Sequence, residues 1–190
     1  MQPRPEPHRV LLILDAQAAL LADPPEGVPA ARAMRENLSR VLAAARAASP
    51  PPLIVHVRNS GDAGEPDAPG SPGHALVLAV APGERVLDKA KNNAFAGTPL
   101  GALVPHRAEL VVAGLLSDYA VAATCRAAVA RGNEVILVRG AHAAYHRPEA
   151  LYGGGTLEAS RLETQVENEL EEIGVSVFDM EDLEAIFTDR

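Results

Sequence analysis

Aromatic side chains are scarce in this 190-residue chain: tryptophan is absent, and Phe and Tyr together supply only 3% of the residues. Ala, Val and Leu must therefore fill any core. Cysteine is nearly absent too. The lone Cys125 rules out an internal disulfide framework and agrees with a cytoplasmic setting. No apolar run reaches the ~18 residues of a membrane span. Residues 1–8, MQPRPEPH, lack the apolar centre of a signal peptide and are expected to form a loose tail. No basic patch of the kind that binds nucleic acid is present.

Lysine is the most informative shortage. The chain has 15 arginines and two lysines, and those two, Lys89 and Lys91, lie within three residues. A guanidinium is effectively always charged, whereas an ammonium is a compact donor with a tunable pKa. That points to a chemical role for at least one of them, against the plainer view of two solvated surface lysines.

Hydrophobic residues make up 47% of the chain and charged residues 22%, as in an ordinary globular protein. The length predicts one domain over residues 1–190. The net charge of −8 is concentrated in residues 156–190, which hold 11 acidic and 2 basic side chains. A solvated helix face accounts for that acidity.

Short apolar runs at residues 10–14, 53–57, 85–88, 110–113, 134–138 and 175–178 read as strands, most of them buried on both faces. Helical spacing fits residues 28–48, 118–131, 156–173 and 181–187, with a glycine hinge at 153–155. Residues 59–73 are crowded with Gly, Pro and Asp and form a loop. Its length exceeds the usual connection, which leans towards function. Alternating strands and helices predict an α/β fold with a parallel sheet covered on both faces.

Ligands bind beyond the carboxyl ends of such strands. Asp15, His56, Arg58, Asp88, Lys89, residues 114–118, Arg139 and His142 all fall there. Loops are polar in any protein, but a lone Asp and a rare Lys at two strand ends favour a site. His74, His106 and His146 are expected in exposed loops.

The stretch Glu109-Leu-Val-Val-Ala-Gly-Leu-Leu-Ser-Asp-Tyr-Ala-Val121 reads as a buried strand, a glycine turn and a helix start. With Leu12-Ile-Leu-Asp-Ala-Gln17, His56-Val-Arg58, the lysine segment Lys89-Ala-Lys-Asn-Asn-Ala-Phe95 and Arg139-Gly-Ala-His-Ala-Ala-Tyr145, it resembles the isochorismatase-like cysteine hydrolases. The resemblance spans roughly residues 10–178 and implies a three-layer α/β/α fold with a mainly parallel, Rossmann-like sheet of about six strands. It implies Asp15 as the triad acid, Lys89 as the triad lysine and position 120 as that of the nucleophilic cysteine. Here Ala120 stands there. It further implies an oxyanion hole at Leu116 and Ala120, a cis peptide between Leu115 and Leu116, and a pocket lined by Gln17, Arg58, Phe95, Tyr119 and His142.

The chemistry has its own logic. A thiol attacking an amide needs a base, which a carboxylate at a strand end can supply. The oxyanion needs preorganised donors. Ser117 is a good helix N-cap, which would put the N–H of Ala120 in the first turn without an intrahelical acceptor. Cys125 cannot replace the missing sulfur, because five residues turn it about 140° around the helix. It reads as a small buried core residue. Nicotinamidases of the family carry an Asp-x-His with a further His after the second strand for a metal; the segment from His56 to Asp62 lacks that spacing, so the resemblance implies no metal here, and no cofactor is expected.

Three accounts of Ala120 stay open: an inactivated variant of a cysteine enzyme, a natural hydrolase without sulfur, and a non-catalytic binding protein. A sulfur-free hydrolase would use Asp15 to protonate a vinyl ether, as the isochorismatase branch does. The partner expected is a small-molecule substrate, and Arg58 suggests an anionic group on it. The resemblance also implies a homo-oligomer, with a dimer the first expectation.

Overall fold

The computed structural model describes residues 7–149 and 154–188. Most of the expected tail, residues 1–8, and Gly153 of the expected hinge lie outside the described residues. In chain order, β1 (Arg9–Leu14) is followed by α1 (Ala31–Ala47), β2 (Leu53–Asn59), β3 (Arg85–Lys89), α2 (Leu100–Leu103) and β4 (Glu109–Leu115). Then come α3 (Ala122–Ala130), β5 (Glu134–Ala143), the short β6 (Arg147–Pro148) and β7 (Thr156–Leu157), α4 (Ala159–Glu171), β8 (Ser176–Phe178) and α5 (Leu183–Phe187).

Six strands form one sheet in the order β3-β2-β1-β4-β5-β8, and every neighbouring pair is parallel. Side chains alternate between its faces. Leu11 and Ile13 of β1 pack with Met34 and Leu38 of α1 and Ile186 of α5. Val10, Leu12 and Leu14 pack with Leu100 of α2, Cys125 of α3 and Leu170 of α4. The expected three-layer architecture is the one observed, and its central strands β1 and β4 are apolar beyond their first residues, Arg9 and Glu109, because both faces are covered.

From β1 the chain winds outward to β2 and β3, and from β4 it winds the other way to β5 and β8. β1 and β4 therefore flank the switch point, where a crevice opens beyond the carboxyl ends of the strands. Gly114 brings these two strands together. It pairs with Leu14, its φ is 123°, and a Cβ there would sit 2.0 Å from the Leu14 carbonyl oxygen. Only glycine fits such an approach.

Several boundaries differ from the sequence reading. Thr156 and Leu157 pair with β6 as an antiparallel strand, so α4 starts later than expected, after Gly154 and Gly155, which both have positive φ. α2 has four residues, too few to show a period. The helix expected from residue 118 begins instead as a π-helical turn, Ser117–Val121, ahead of α3. Beyond Leu137, β5 carries extra residues: β4 advances from Val112 to Gly114 while β5 advances from Leu137 to His142. The bulge leaves Arg139 and Gly140 exposed and returns His142 to the interior.

Candidate active site

Asp15 follows the last residue of β1 in an unusual conformation. Its φ is 52°, the one positive value at a non-glycine among the described residues. An L-residue held there is strained, and such strain gathers at functional sites. Two main-chain bonds fix it: the Asp15 N–H donates to the Val57 carbonyl (2.8 Å), and the Gln17 N–H donates to the Asp15 carbonyl (2.7 Å).

Lys89 ends β3, two strands away, and reaches back to Asp15. Its Nζ lies 2.8 Å from Asp15 Oδ2 and donates to Asn59 Oδ1 at 3.1 Å. Asn59 Nδ2 in turn donates to Asp67 Oδ2 at 2.7 Å. Both members of the pair are buried, with Asp15 4% and Lys89 2% exposed. The second oxygen, Oδ1, is buried without a hydrogen-bond partner. Burial pushes the Asp15 carboxyl up to about 6, the Lys89 charge and hydrogen bond pull it down, and Asp67 adds a smaller upward push.

Asp15, Lys89 and Asn59 line a cavity of about 450 Å³ with Leu116, Tyr119 and Ala120 from beyond β4. Glu65 and Asp67 from the long loop and Asn92 complete the polar part of its wall, with Pro66 and Leu20 beside them. A larger cavity, about 520 Å³, lies between α1 and α5. It holds no paired titratable groups, so chemistry rather than size selects the site.

The turn that carries Ala120 is anchored from behind. The Leu115–Leu116 peptide is cis. Ser117 makes no cap: its Oγ lies 2.9 Å from His142 Nδ1, and His142 Nε2 lies 3.1 Å from Glu167 Oε1. A carboxylate only accepts, so Nε2 carries the hydrogen, and in the neutral ring Nδ1 accepts from the Ser117 hydroxyl. Arg139 Nε donates to the other Glu167 oxygen at 2.9 Å. Burial works against the Glu167 carboxylate, but its bonds to His142 and Arg139 outweigh that and hold its pKa below the usual range. Serine, histidine and carboxylate resemble a nucleophilic triad, yet Ser117 is fully buried and no part of the cavity wall.

Four residues expected to bind substrate sit elsewhere. Gln17 is fully buried as a brace: its Oε1 accepts from the Asn59 N–H, and its Nε2 donates to the carbonyls of Asn59 and His74. Arg58 is spent on Asp88, with two bonds of 2.7 and 2.9 Å. Phe95 packs on the core that Val10, Leu12 and Leu14 share, under the Arg131 guanidinium, 4.6 Å from the ring centre. His142 belongs to the network behind the turn. Tyr119 alone of the five lines the cavity. His74, expected exposed, is buried at the end of the long loop, where its main-chain N–H donates to Ser71 Oγ. Cys125 is buried in the core as expected, and burial pushes its thiol up to about 12.

The sequence reading missed Asn59, Glu65, Asp67 and Asn92. For Asn59, Glu65 and Asp67 the length of their loop was the signal available, but it does not say which polar side chains turn inward; Asn92 lies apart, in the segment after β3. Among the described residues no three His, Cys, Asp or Glu side chains gather into a metal-binding group.

Comparisons with known proteins address the family and the fold. An Isochorismatase domain model matches residues 9–159. Two streptothricin hydrolases from Streptomyces noursei are 44% identical over 148 residues and 42% identical over 146, covering 76% and 75% of this chain. The chain spans only 58% and 52% of the length of those relatives. Among solved structures, an isochorismatase from Pseudomonas putida KT2440 has a TM-score of 0.80 at 28% identity, covering 96% of this chain and 93% of its own. A cysteine hydrolase from Pseudomonas syringae pv. phaseolicola shares the fold, with a TM-score of 0.79 at 20% identity over 97% of this chain and 94% of its own. Sheet topology and matched domain converge, and the chain belongs to the isochorismatase family of hydrolases.

Proposed function

We propose that the switch-point cavity is a hydrolytic site for a small molecule with an amide-type C–N bond. Asp15 carries the proton, Lys89 fixes the carboxylate, and the main-chain N–H groups of Leu116 and Ala120 receive the oxyanion. The observation that carries this reading is the buried, unpartnered Oδ1 of Asp15 on the wall that Ala120 shares. The similarity to two streptothricin hydrolases supports hydrolysis of a small molecule and puts streptothricin among the substrates to test.

A cysteine at position 120 would pass its proton to Asp15, attack the carbonyl and expel the amine, which takes that proton back. Water then cleaves the thioester. Ala120 offers only a methyl group, so no acyl-enzyme forms in this chain. Water itself is the remaining nucleophile: Asp15 takes its proton, the hydroxide adds to the carbonyl carbon, and the departing amine is protonated by Asp15. Such a reaction lacks the sulfur's nucleophilicity and is expected to be slow.

The raised Asp15 pKa favours a second reading, general-acid cleavage of a vinyl ether, which needs no thiol. The two readings have opposite pH dependence. Base catalysis by Asp15 rises as pH climbs through about 6, whereas acid catalysis falls over the same window. The test is an assay of the chain and of Ala120→Cys against small amides, ureas, streptothricin and isochorismate across that range. The amide reading expects Ala120→Cys to gain turnover on at least one amide. A folded Ala120→Cys protein without amide turnover, beside isochorismate cleavage that fades above pH 6, would overturn it in favour of the second reading. Binding without any turnover would favour the non-catalytic account.

A further inference from the structure

The charge on the cavity wall opposes the expectation drawn from Arg58. Three carboxylates, Asp15, Glu65 and Asp67, face one ammonium, Lys89, and the other wall residues are uncharged. Lys89 is committed to Asp15 and Asn59. Arg58 is neutralised by Asp88 and is not on the wall. Arg147 lies over the Tyr119 ring, 4.7 Å from its centre, but its charge is matched by Asp118 at 2.9 Å. Among the described residues the wall itself holds no second cation to meet an anionic substrate, and Lys91, next to Asn92 in the chain, is exposed and outside it.

The acidic groups are placed rather than loose. The Asp62 N–H donates to Glu65 Oε2 at 2.7 Å, and Asp67 Oδ2 is held by Asn59. Main-chain bonds from Glu65 to Asp62 and from Ala68 to Glu65 close the loop on itself. Behind it, Gly73 approaches so closely that a Cβ there would lie 2.2 Å from the Pro66 carbonyl oxygen. Like charges held together in a partly dry cavity repel. A cationic ligand relieves that repulsion, whereas an anionic one adds to it. Below them, the buried Oδ1 of Asp15 still has no donor.

We infer that this cavity selects a cationic substrate: a small amide that carries an ammonium or guanidinium group, with the cation against Glu65 and Asp67 and the carbonyl towards Ala120. The inference rests on the amide-site reading for the bond cleaved, but the charge selection can be measured apart from it.

Three amides of equal chain length make the probe: that of an ω-amino acid, its uncharged alkyl counterpart, and the half-amide of the dicarboxylic acid. Binding is measured by calorimetry on the chain as it stands, and hydrolysis on Ala120→Cys. The ω-amino amide should bind about tenfold more tightly than the half-amide, as expected for charges in a half-open site. Added salt should narrow the gap. Glu65→Gln should reduce it about fivefold, and Glu65→Gln/Asp67→Asn should remove it. Equal binding of all three, tighter binding of the half-amide, or no binding of any would overturn the inference. So would a preference that survives the double substitution. Equal cleavage of all three by Ala120→Cys keeps the amide reading and sinks the charge selection. Preferential binding of the cation without cleavage does the reverse.

Discussion

Asp15 and Glu84 are both carboxylates with only 6% of the side chain exposed, and they are held in opposite states. Asp15 is pushed up to about 6, while Glu84 is held down at about 2. Burial opposes the charged form of each. Glu84 overcomes it with hydrogen bonds from Arg46, the Ala81 N–H and His56, which together occupy both of its oxygens. Asp15 has one ammonium on one oxygen and nothing on the other. A carboxylate whose acceptors are all filled serves structure; one left short of donors stays ready to exchange a proton.

The largest test of this contrast is Asp15→Asn in an Ala120→Cys background. Loss of the proton carrier should lower amide turnover about a thousandfold. The amide still offers Lys89 an oxygen, so circular dichroism should show a folded protein. Turnover within a factor of a few of the parent would erase the distinction.

Lys89→Met comes next. It strips the buried carboxylate of its partner and should cost about 3–5 kcal/mol in urea unfolding at pH 8. The penalty should shrink at pH 5, where the carboxyl can take up a proton. A loss that does not change with pH would mean that Asp15 is not the group responsible.

The pH profiles should run in opposite directions. The folded Asp15 holds its proton more tightly than the ordinary value of 3.8. Its contribution therefore favours the fold below that pH and is lost as pH rises through about 6, by roughly 3 kcal/mol. Glu84 favours the fold above 4.5 and loses its contribution as pH falls towards about 2. Unfolding curves of Asp15→Asn should lack the first slope and keep the second. Glu84→Gln should lose about 2 kcal/mol at neutral pH through its broken ion pair, with little effect on ligand binding. The smallest effect concerns sulfur. Iodoacetamide should leave Cys125 of the folded parent unmodified, while the thiol of Ala120→Cys reacts; mass spectrometry of the alkylated peptides separates the two.

The same contrast marks what could be read from the sequence. Continuous apolar runs gave away the strands because a doubly covered sheet tolerates little else, and Asp15 and Lys89 stood out by position and rarity. Glu84 and Asp67 did not, since a polar residue in a loop has no period to reveal which way it faces. Ser117 was misread because a serine ahead of a helix can bond either to its own backbone or to a distant ring, and only the return of β5 through its bulge delivers His142. Arg58 suggested an anion because the sequence does not show that Asp88 pairs with it across neighbouring strands.

One consequence follows from the way the π-helical turn is fastened. Ser117 ties it to His142 and Glu167, and main-chain bonds from Tyr119 and Val121 to the Leu116 carbonyl close it. None of these contacts uses the side chain at position 120. That side chain is therefore an exchangeable part, seated in a frame that neighbours maintain without it. A change of side chain at this position is expected to leave the architecture in place, so the chemistry offered here and the foldability of the chain are free to evolve separately.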